Sequence, residues 1–101
     1  MDNTKEIIQE QTNINVTMPK MYKVILHNDD FTPMDFVVFI LRKIFKKSEI
    51  EATKIMMTVH KNGKGVAGIY PRDVAMTKAV MVGAIATKNG FPLKASIERE
   101  E

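Results

Sequence analysis

Cysteine is absent from the 101-residue sequence. Its absence excludes disulfide bonds, thiolate metal ligands and a cysteine nucleophile, and it fits a reducing compartment. Long apolar runs are also missing, because every run is far shorter than a membrane-spanning helix requires. The first residues lack the charged-then-apolar pattern of a secretory signal peptide. We therefore expect a soluble protein of the cytoplasm that spans no membrane.

Motifs of common enzymes are missing as well. The sequence has no Gly-x-Ser-x-Gly elbow, no His-Glu-x-x-His zinc motif and no phosphate-binding loop. Residues 61–65 resemble a phosphate cradle only superficially, because they follow a predicted helix and lead into a predicted strand. We predict a protein that is not an enzyme and holds no cofactor or metal. One catalytic alternative stays open, a hydrolytic dyad of Asp30 and His60.

The net charge of +3 reflects a mild excess of 15 basic over 12 acidic residues. Such a balance is a weak argument for binding nucleic acid. An RNA- or ribosome-binding module is the second alternative, and it would use Lys43, Lys46, Lys47, Lys61 and Lys64. Few aromatic residues accompany these lysines to stack on bases. We therefore predict no nucleic-acid partner.

Hydrophobic periodicity divides the chain into a tail and one domain. Residues 1–19 are mostly polar without a sustained period, which predicts a flexible N-terminal extension. Residues 20–101 are predicted to form a single compact domain. Strand patterns occur at residues 21–27, 66–70 and 93–98, and helix patterns at 33–46, 48–61 and 71–88. The order β-α-α-β-α-β predicts an α+β fold, with an antiparallel or mixed three-stranded sheet packed against three helices.

Local patterns predict how the helices begin and pack. Thr32 before Pro33 is typical of an N-cap followed by the first helical residue. Ser48 and Glu51 have the spacing of a capping box. The third helix is expected to pack through a face of mostly small residues, namely Val74, Ala75, Ala79, Val82, Gly83 and Ala86.

One amide and two carboxylates, Asn28, Asp29 and Asp30, stand in a row between the first strand and the first helix. Their oxygens accept hydrogen bonds, so the junction is suited to an ammonium group. A polar strand-to-helix turn is the purely structural alternative. His60, at the end of the second helix, either stabilises that helix end or adds an acceptor nitrogen to the same site. Met34, beside the junction, is suited to line an adaptable pocket.

The same residues resemble a known family. Residues 22–26 and the block at 28–37, Asn-Asp-Asp-Phe-Thr-Pro-Met-Asp-Phe-Val, are similar to the ClpS adaptor family. Further similarities follow in order at residues 52–53, 56, 59–60, 63–66, 68–70, 74–75, 77–78 and 92–93. The resemblance covers residues 20–101, which it identifies as a ClpS-like adaptor core domain.

The resemblance implies an adaptor that performs no reaction itself. ClpS proteins bind the N-terminal residue of proteins marked for degradation (N-degron substrates), where that residue is Leu, Phe, Tyr or Trp. The substrate passes to the ClpA unfoldase, which feeds the ClpP protease. The family fold is again β-α-α-β-α-β. We expect a monomer whose partners are N-degron substrates and the N-terminal domain of ClpA.

Residue by residue, the resemblance implies three sites. The substrate α-amine is bound by Asn28, Asp29, Asp30 and His60. The pocket for the first side chain is formed by Leu26, Thr32, Met34, Val37, Met56, Val59 and Leu93, with Met34 as a gate against β-branched side chains. The face that docks the unfoldase contains Asp73, Thr77 and Lys78, and Asp73 stands where the family usually has Glu.

Overall fold

The computed structural model describes residues 18–101, which form three strands and three helices. In chain order these are β1 (Met21–His27), α1 (Met34–Lys43), α2 (Glu49–Asn62), β2 (Lys64–Pro71), α3 (Arg72–Lys88) and β3 (Lys94–Arg99). The predicted order and the α+β class are confirmed. The predicted N-terminal extension lies almost entirely outside the described residues. Within residues 18–101, no helix has both the length and the apolar character that crossing a membrane would require.

The sheet is antiparallel throughout and has the strand order β2-β1-β3. Sequence patterns had left an antiparallel or a mixed sheet open. Tyr22 of β1 pairs with Tyr70 on one side and with Arg99 on the other. Because β1 is hydrogen-bonded on both sides, its last residue, His27, is held in place. The junction at residues 28–30 that follows therefore starts from a strand that is paired on both sides.

The core joins the middle strand to one face of each helix. Val24 and Leu26 of β1 are fully buried. The other buried members of this cluster are Val37, Ile40, Leu41, Ile44, Phe45, Ala52, Val59, Ala67, Ala75, Val82, Ala86 and Leu93. Burying apolar surface is the main favourable contribution to folding, so this cluster carries most of the domain's stability.

The predicted small-residue face of α3 is correct only in part. Ala75, Val82 and Ala86 are buried, but Val74 is 42% exposed. Successive residues of a helix differ by about 100° around its axis, so Val74 lies well away from the line through Ala75 and Val82. Val74 therefore belongs to the outer side of α3.

The start of α1 differs from the prediction. Thr32 does not cap the helix; Pro33 is the N-cap residue, with no side-chain cap hydrogen bond. The Thr32 hydroxyl donates instead to Asp29 Oδ2 at 2.7 Å. Thr32 therefore stabilises the preceding loop rather than the helix.

The end of α1 also differs, because the helix stops at Lys43 and not near Lys46. Lys46 adopts a left-handed backbone conformation with φ of 56°. The Lys47 N–H donates to the Leu41 carbonyl at 3.2 Å, which closes the turn. Helix α2 begins as predicted, with both hydrogen bonds of the Ser48–Glu51 capping box present.

Candidate functional site

The junction after β1 is tied to the end of α2. The Asn28 N–H donates to the Gly63 carbonyl at 2.9 Å. Gly63 ends α2 in a left-handed conformation with φ of 88°, which glycine adopts without a steric penalty. This arrangement brings Asn28 beside the last turn of α2, which carries His60. The two residues are 32 positions apart in sequence, yet both line one cavity.

Asp29 organises the loop between β1 and α1. Its Oδ1 accepts hydrogen bonds from the Phe31 N–H at 2.8 Å and the Thr32 N–H at 2.7 Å. Its Oδ2 accepts from the Thr32 hydroxyl at 2.7 Å. Partial burial acts to raise the pKa of Asp29, but these hydrogen bonds outweigh it and hold the pKa below its usual value of 3.8. Asp29 is therefore a carboxylate at neutral pH whose main contacts lie within the loop.

The cavity has a volume of about 410 Å³ and is bounded by the junction, the first turn of α1 and the second half of α2. Its lining residues are Asn28, Asp29, Asp30, Phe31, Thr32, Pro33, Met34, Val37, Met56, Val59 and His60. Its lining combines polar acceptors, among them Asn28, Asp30 and His60, with aliphatic and thioether side chains, among them Val37, Val59 and Met56. The cavity can therefore accept hydrogen bonds from a small cation while burying an apolar group attached to that cation.

The apolar part of the cavity has both a fixed and an adaptable component. Val37 and Val59 are 6% and 2% exposed, so their positions are set by the core. Met34 is 43% exposed and Met56 is half-buried. Methionine side chains are unbranched and flexible, so they adjust to groups of different shape. Fixed, buried side chains beside flexible, more exposed ones suit apolar groups of more than one shape.

Most of the predicted site residues meet at this cavity. All four predicted amine-binding residues line it, as do Thr32, Met34, Val37, Met56 and Val59. Leu26 and Leu93 do not line it. They are 0% and 3% exposed and belong to the same buried cluster as Val37 and Val59. Their contribution is to support the wall from within the core.

Two residues of the cavity were not predicted as site residues. Phe31 and Pro33 both line it, and the Phe31 side chain is 77% exposed. An aromatic residue directly after two aspartates is the signal in the sequence that identifies Phe31, because exposed aromatic residues are common in binding sites. Pro33 carries no such signal beyond its place at the start of α1.

The predicted docking residues lie elsewhere, on the outer side of α3. Asp73, Thr77 and Lys78 line a shallow groove of about 260 Å³ together with Val74 and Met81. The Lys78 Nζ donates to the Ile44 carbonyl at 2.8 Å and lies 5.1 Å from the Tyr70 ring centroid. Lys78 therefore also holds α3 against the end of α1. This groove shares no lining residue with the cavity.

The fold and the cavity together define a small α+β domain with a cleft lined by both polar acceptors and apolar side chains. The family model for the ATP-dependent Clp protease adaptor protein ClpS matches residues 17–96. The ClpS adaptor of Acetivibrio thermocellus is 50% identical over 96 residues, which cover 95% of this chain and 97% of that protein. The ClpS adaptor of Shewanella pealeana is 50% identical over 93 residues, covering 92% of this chain and 91% of that protein.

A solved structure agrees with these relatives. Agrobacterium tumefaciens ClpS2, bound to L-phenylalaninamide, has a TM-score of 0.79 and 42% sequence identity, covering 82% of this chain and all of that chain. The chain described here belongs to the ClpS family of Clp protease adaptor proteins.

Proposed function

We propose that this protein binds other proteins through a bulky hydrophobic N-terminal residue, Leu, Phe, Tyr or Trp, together with its free α-amine. It delivers them to the ClpA unfoldase of the ClpAP protease and catalyses no reaction itself. It acts in the cytoplasm as a monomer, without nucleic acid. The observation that carries this proposal is a cavity that joins Asn28, Asp30 and His60 to an apolar wall containing Met34 and Val59.

The polar residues are suited to a protein N-terminus. A free α-amine has a pKa near 8, so at neutral pH it is mostly an ammonium with three donors and no acceptor. Asn28, Asp30 and His60 supply an amide oxygen, a carboxylate and an imidazole nitrogen. A hydrogen bond to a charged group contributes about 1.5–3 kcal/mol. An acetylated terminus lacks the charge and leaves these acceptors desolvated without a partner.

The apolar wall supplies the preference for a large first side chain. Burying one Leu or Phe side chain contributes about 1.5–3 kcal/mol. Added to the amine contacts and reduced by the cost of association, this is compatible with dissociation constants of about a micromolar or somewhat lower. A side chain branched at Cβ is broad at its base, so it clashes with Met34 at the rim.

The relative of known structure supports the same assignment. Its ligand, L-phenylalaninamide, carries a free α-amine and a benzyl side chain. These are the two chemical groups that the proposed binding mode places in the cavity of the present chain. Its C-terminal amide resembles the peptide bond that follows a first residue. A ligand of this kind therefore represents the end of a substrate protein.

Fluorescence anisotropy with three labelled peptides tests the proposal. One begins with Leu, the second is its N-acetylated twin, and the third begins with Val. We expect tight binding only for the Leu peptide with the free amine. Equal and weak binding of all three peptides would contradict both the amine site and the gate.

An Asp30→Asn variant tests the amine site separately. The substitution keeps the shape of the side chain but removes its charge. It should therefore weaken the binding of peptides beginning with Leu, Phe and Tyr by the same factor, about 10- to 100-fold. Glu98→Gln is the matched control, because Glu98 is an exposed carboxylate of β3 outside the cavity. If the loss of affinity differs strongly between the Leu and Phe peptides, Asp30 contacts the first side chain of the peptide and not its amine.

A further inference from the structure

Methionine supplies all the sulfur of this chain, which has eight methionines and no cysteine. Peroxides convert the methionine thioether to a sulfoxide, and methionine sulfoxide reductases reverse the reaction. An oxidant dissolved in water reaches exposed side chains first. Among residues 18–101, four methionine side chains are at least 40% exposed, namely Met18, Met34, Met76 and Met81.

Met34 is the member of this exposed group that also lines the substrate cavity. The second methionine of the cavity, Met56, is half-buried. The valines of the cavity, Val37 and Val59, are buried and carry no oxidisable group. Met34 is therefore the apolar residue of the cavity that is most open to oxidation.

Oxidation of Met34 would change the chemistry of the cavity where a substrate side chain is expected to pack. A thioether is polarizable and packs well against hydrocarbon groups. A sulfoxide is polar, and its oxygen accepts hydrogen bonds from water. The side chains of Leu and Phe have no donor, so packing one of them on this oxygen removes water without replacing its hydrogen bond. Such desolvation opposes binding.

We propose that Met34 is a reversible oxidation site, at which peroxide lowers the affinity of the protein for its substrates. The sulfur attacks one oxygen of hydrogen peroxide, an S–O bond forms and the O–O bond breaks. Sulfur loses two electrons, and the peroxide is reduced to one molecule of water while its other oxygen stays on sulfur. This inference rests on the proposed function, because it requires the first side chain of the substrate to contact Met34. The same contact means that a bound substrate shields Met34 from the oxidant.

The rate of oxidation at each methionine tests the accessibility of Met34. The protein is treated with hydrogen peroxide, and its methionines are followed by peptide mapping with mass spectrometry. Met76 of α3 is a matched reference, because it is 40% exposed against 43% for Met34 and lies outside the cavity. We expect Met34 and Met76 to be oxidised at similar rates, and Met56 more slowly than either.

Protection by substrate tests the contact with Met34. A sulfur-free peptide beginning with Leu, at ten times its dissociation constant, leaves about a tenth of the protein empty. The oxidation of Met34 should then slow at least about fivefold, since only the empty protein exposes it fully. The rate at Met76 should stay the same, and the N-acetylated twin should protect neither residue.

Anisotropy titrations of treated and untreated protein test the effect on affinity. We expect the wild type to lose about three- to tenfold in affinity for the Leu peptide on oxidation, and to regain it after treatment with methionine sulfoxide reductases. Met34→Leu has a side chain of similar volume without sulfur, so its affinity should be the same before and after peroxide. Met76→Leu is the matched control and should lose affinity as the wild type does. Met34→Gln, which is polar without peroxide, should bind more weakly than Met34→Leu.

The outcomes that contradict the proposal can be told apart. If the untreated protein binds the Leu peptide no better than the acetylated twin, the proposed function fails and this inference fails with it. If the untreated protein distinguishes the two peptides but oxidation of Met34 leaves its affinity unchanged, only the oxidation site is overturned. A loss of affinity that persists in Met34→Leu would overturn the assignment to Met34 and place the effect at another methionine, such as Met56. Resistance of Met34 to peroxide, while Met76 is oxidised, would overturn it as well.

Discussion

Adjacent aspartates in this protein have different surroundings. Asp29 accepts three hydrogen bonds from Phe31 and Thr32 and thereby fixes the loop. Asp30 is exposed at the cavity. A carboxylate that already accepts three hydrogen bonds has little capacity left for a ligand. The geometry therefore favours Asp30 for direct contact with an amine and Asp29 for positioning, while direct contact by Asp29 stays a prediction.

The stability of the loop should depend on pH through Asp29. The pKa of Asp29 in the folded protein is below its usual value of 3.8. Its stabilising contribution is therefore complete above about pH 4 and is lost as the pH falls through the folded pKa. We expect Asp29→Asn to have a lower free energy of unfolding than the wild type at pH 7. The difference should be smaller at pH 2.5, as measured by urea denaturation. A difference that stays constant with pH would contradict this assignment.

Met34 should control which first residues are accepted. Its side chain lines the cavity, is 43% exposed and lies in the first turn of α1. Met34→Ala removes three heavy atoms from the rim, so peptides beginning with Ile or Val should gain at least about tenfold in affinity, roughly 1.4 kcal/mol. Peptides beginning with Leu should change less. Anisotropy titrations with matched Leu, Ile and Val peptides measure this, and unchanged rejection of Ile would remove Met34 from the gate.

The helices around the site begin at short-range sequence patterns, which are easy to recognise in a sequence. The capping box of α2 involves residues three apart, and the Ser48 hydroxyl accepts the Glu51 N–H at 3.1 Å. The hydrogen bonds from Ser48 also lower the pKa of the Glu51 carboxyl. Helix α2 carries Val59 and His60 to the cavity, so its start contributes to the geometry of the site at its end.

Removing the cap of α2 should cost stability without changing specificity. We expect Ser48→Ala to lower the free energy of unfolding by about 1 kcal/mol, within the usual range for lost N-caps. Thr53→Ala is the control, because its hydroxyl bonds to a carbonyl inside the same helix and its loss should change stability by less than about 0.5 kcal/mol. Urea denaturation of both variants measures this, and equal losses would indicate that the capping box contributes nothing particular.

Other features of the helices and strands could not be predicted from the sequence. Thr32 has one hydroxyl and two available roles, and local propensity does not decide between capping α1 and bonding to Asp29. Leu26 and Leu93 have the same apolar pattern whether they line a pocket or lie behind its wall. The strand order β2-β1-β3 depends on pairing between distant parts of the chain. In contrast, Asn28, Asp29 and Asp30 could be recognised as a candidate binding site from the sequence, because few simple turns contain so many hydrogen-bond acceptors in a row.

At the scale of the whole molecule, the middle strand and the core link the parts that form the site. Strand β1 ends at the junction, and the buried cluster that contains Leu26 also contains Val37 of α1 and Val59 of α2. A second contact, between the rings of Phe36 and Phe91 with centroids 4.7 Å apart, links α1 to the segment before β3. The cavity is therefore a property of the folded domain and not of any single loop.

The groove on α3 and the substrate cavity should act independently. They share no lining residue, and Thr77 is an exposed residue of α3. Thr77→Asp places a charge beside the apolar Val74 and Met81, which should weaken docking of the unfoldase. We expect the degradation of a reporter beginning with Leu, by ClpA and ClpP with this adaptor, to slow at least about tenfold, as for loss of a central interface residue.

Peptide binding separates this effect from a general loss of structure. The Thr77→Asp variant should bind the Leu peptide with an affinity within about twofold of the wild type, because the substitution lies outside the cavity and distant sites usually behave additively. Thr53→Asp, an exposed position on α2, is the matched control and should leave degradation unchanged. Normal degradation with Thr77→Asp would indicate that the unfoldase docks outside this groove. Loss of peptide binding would indicate that the cavity and the outer side of α3 are coupled.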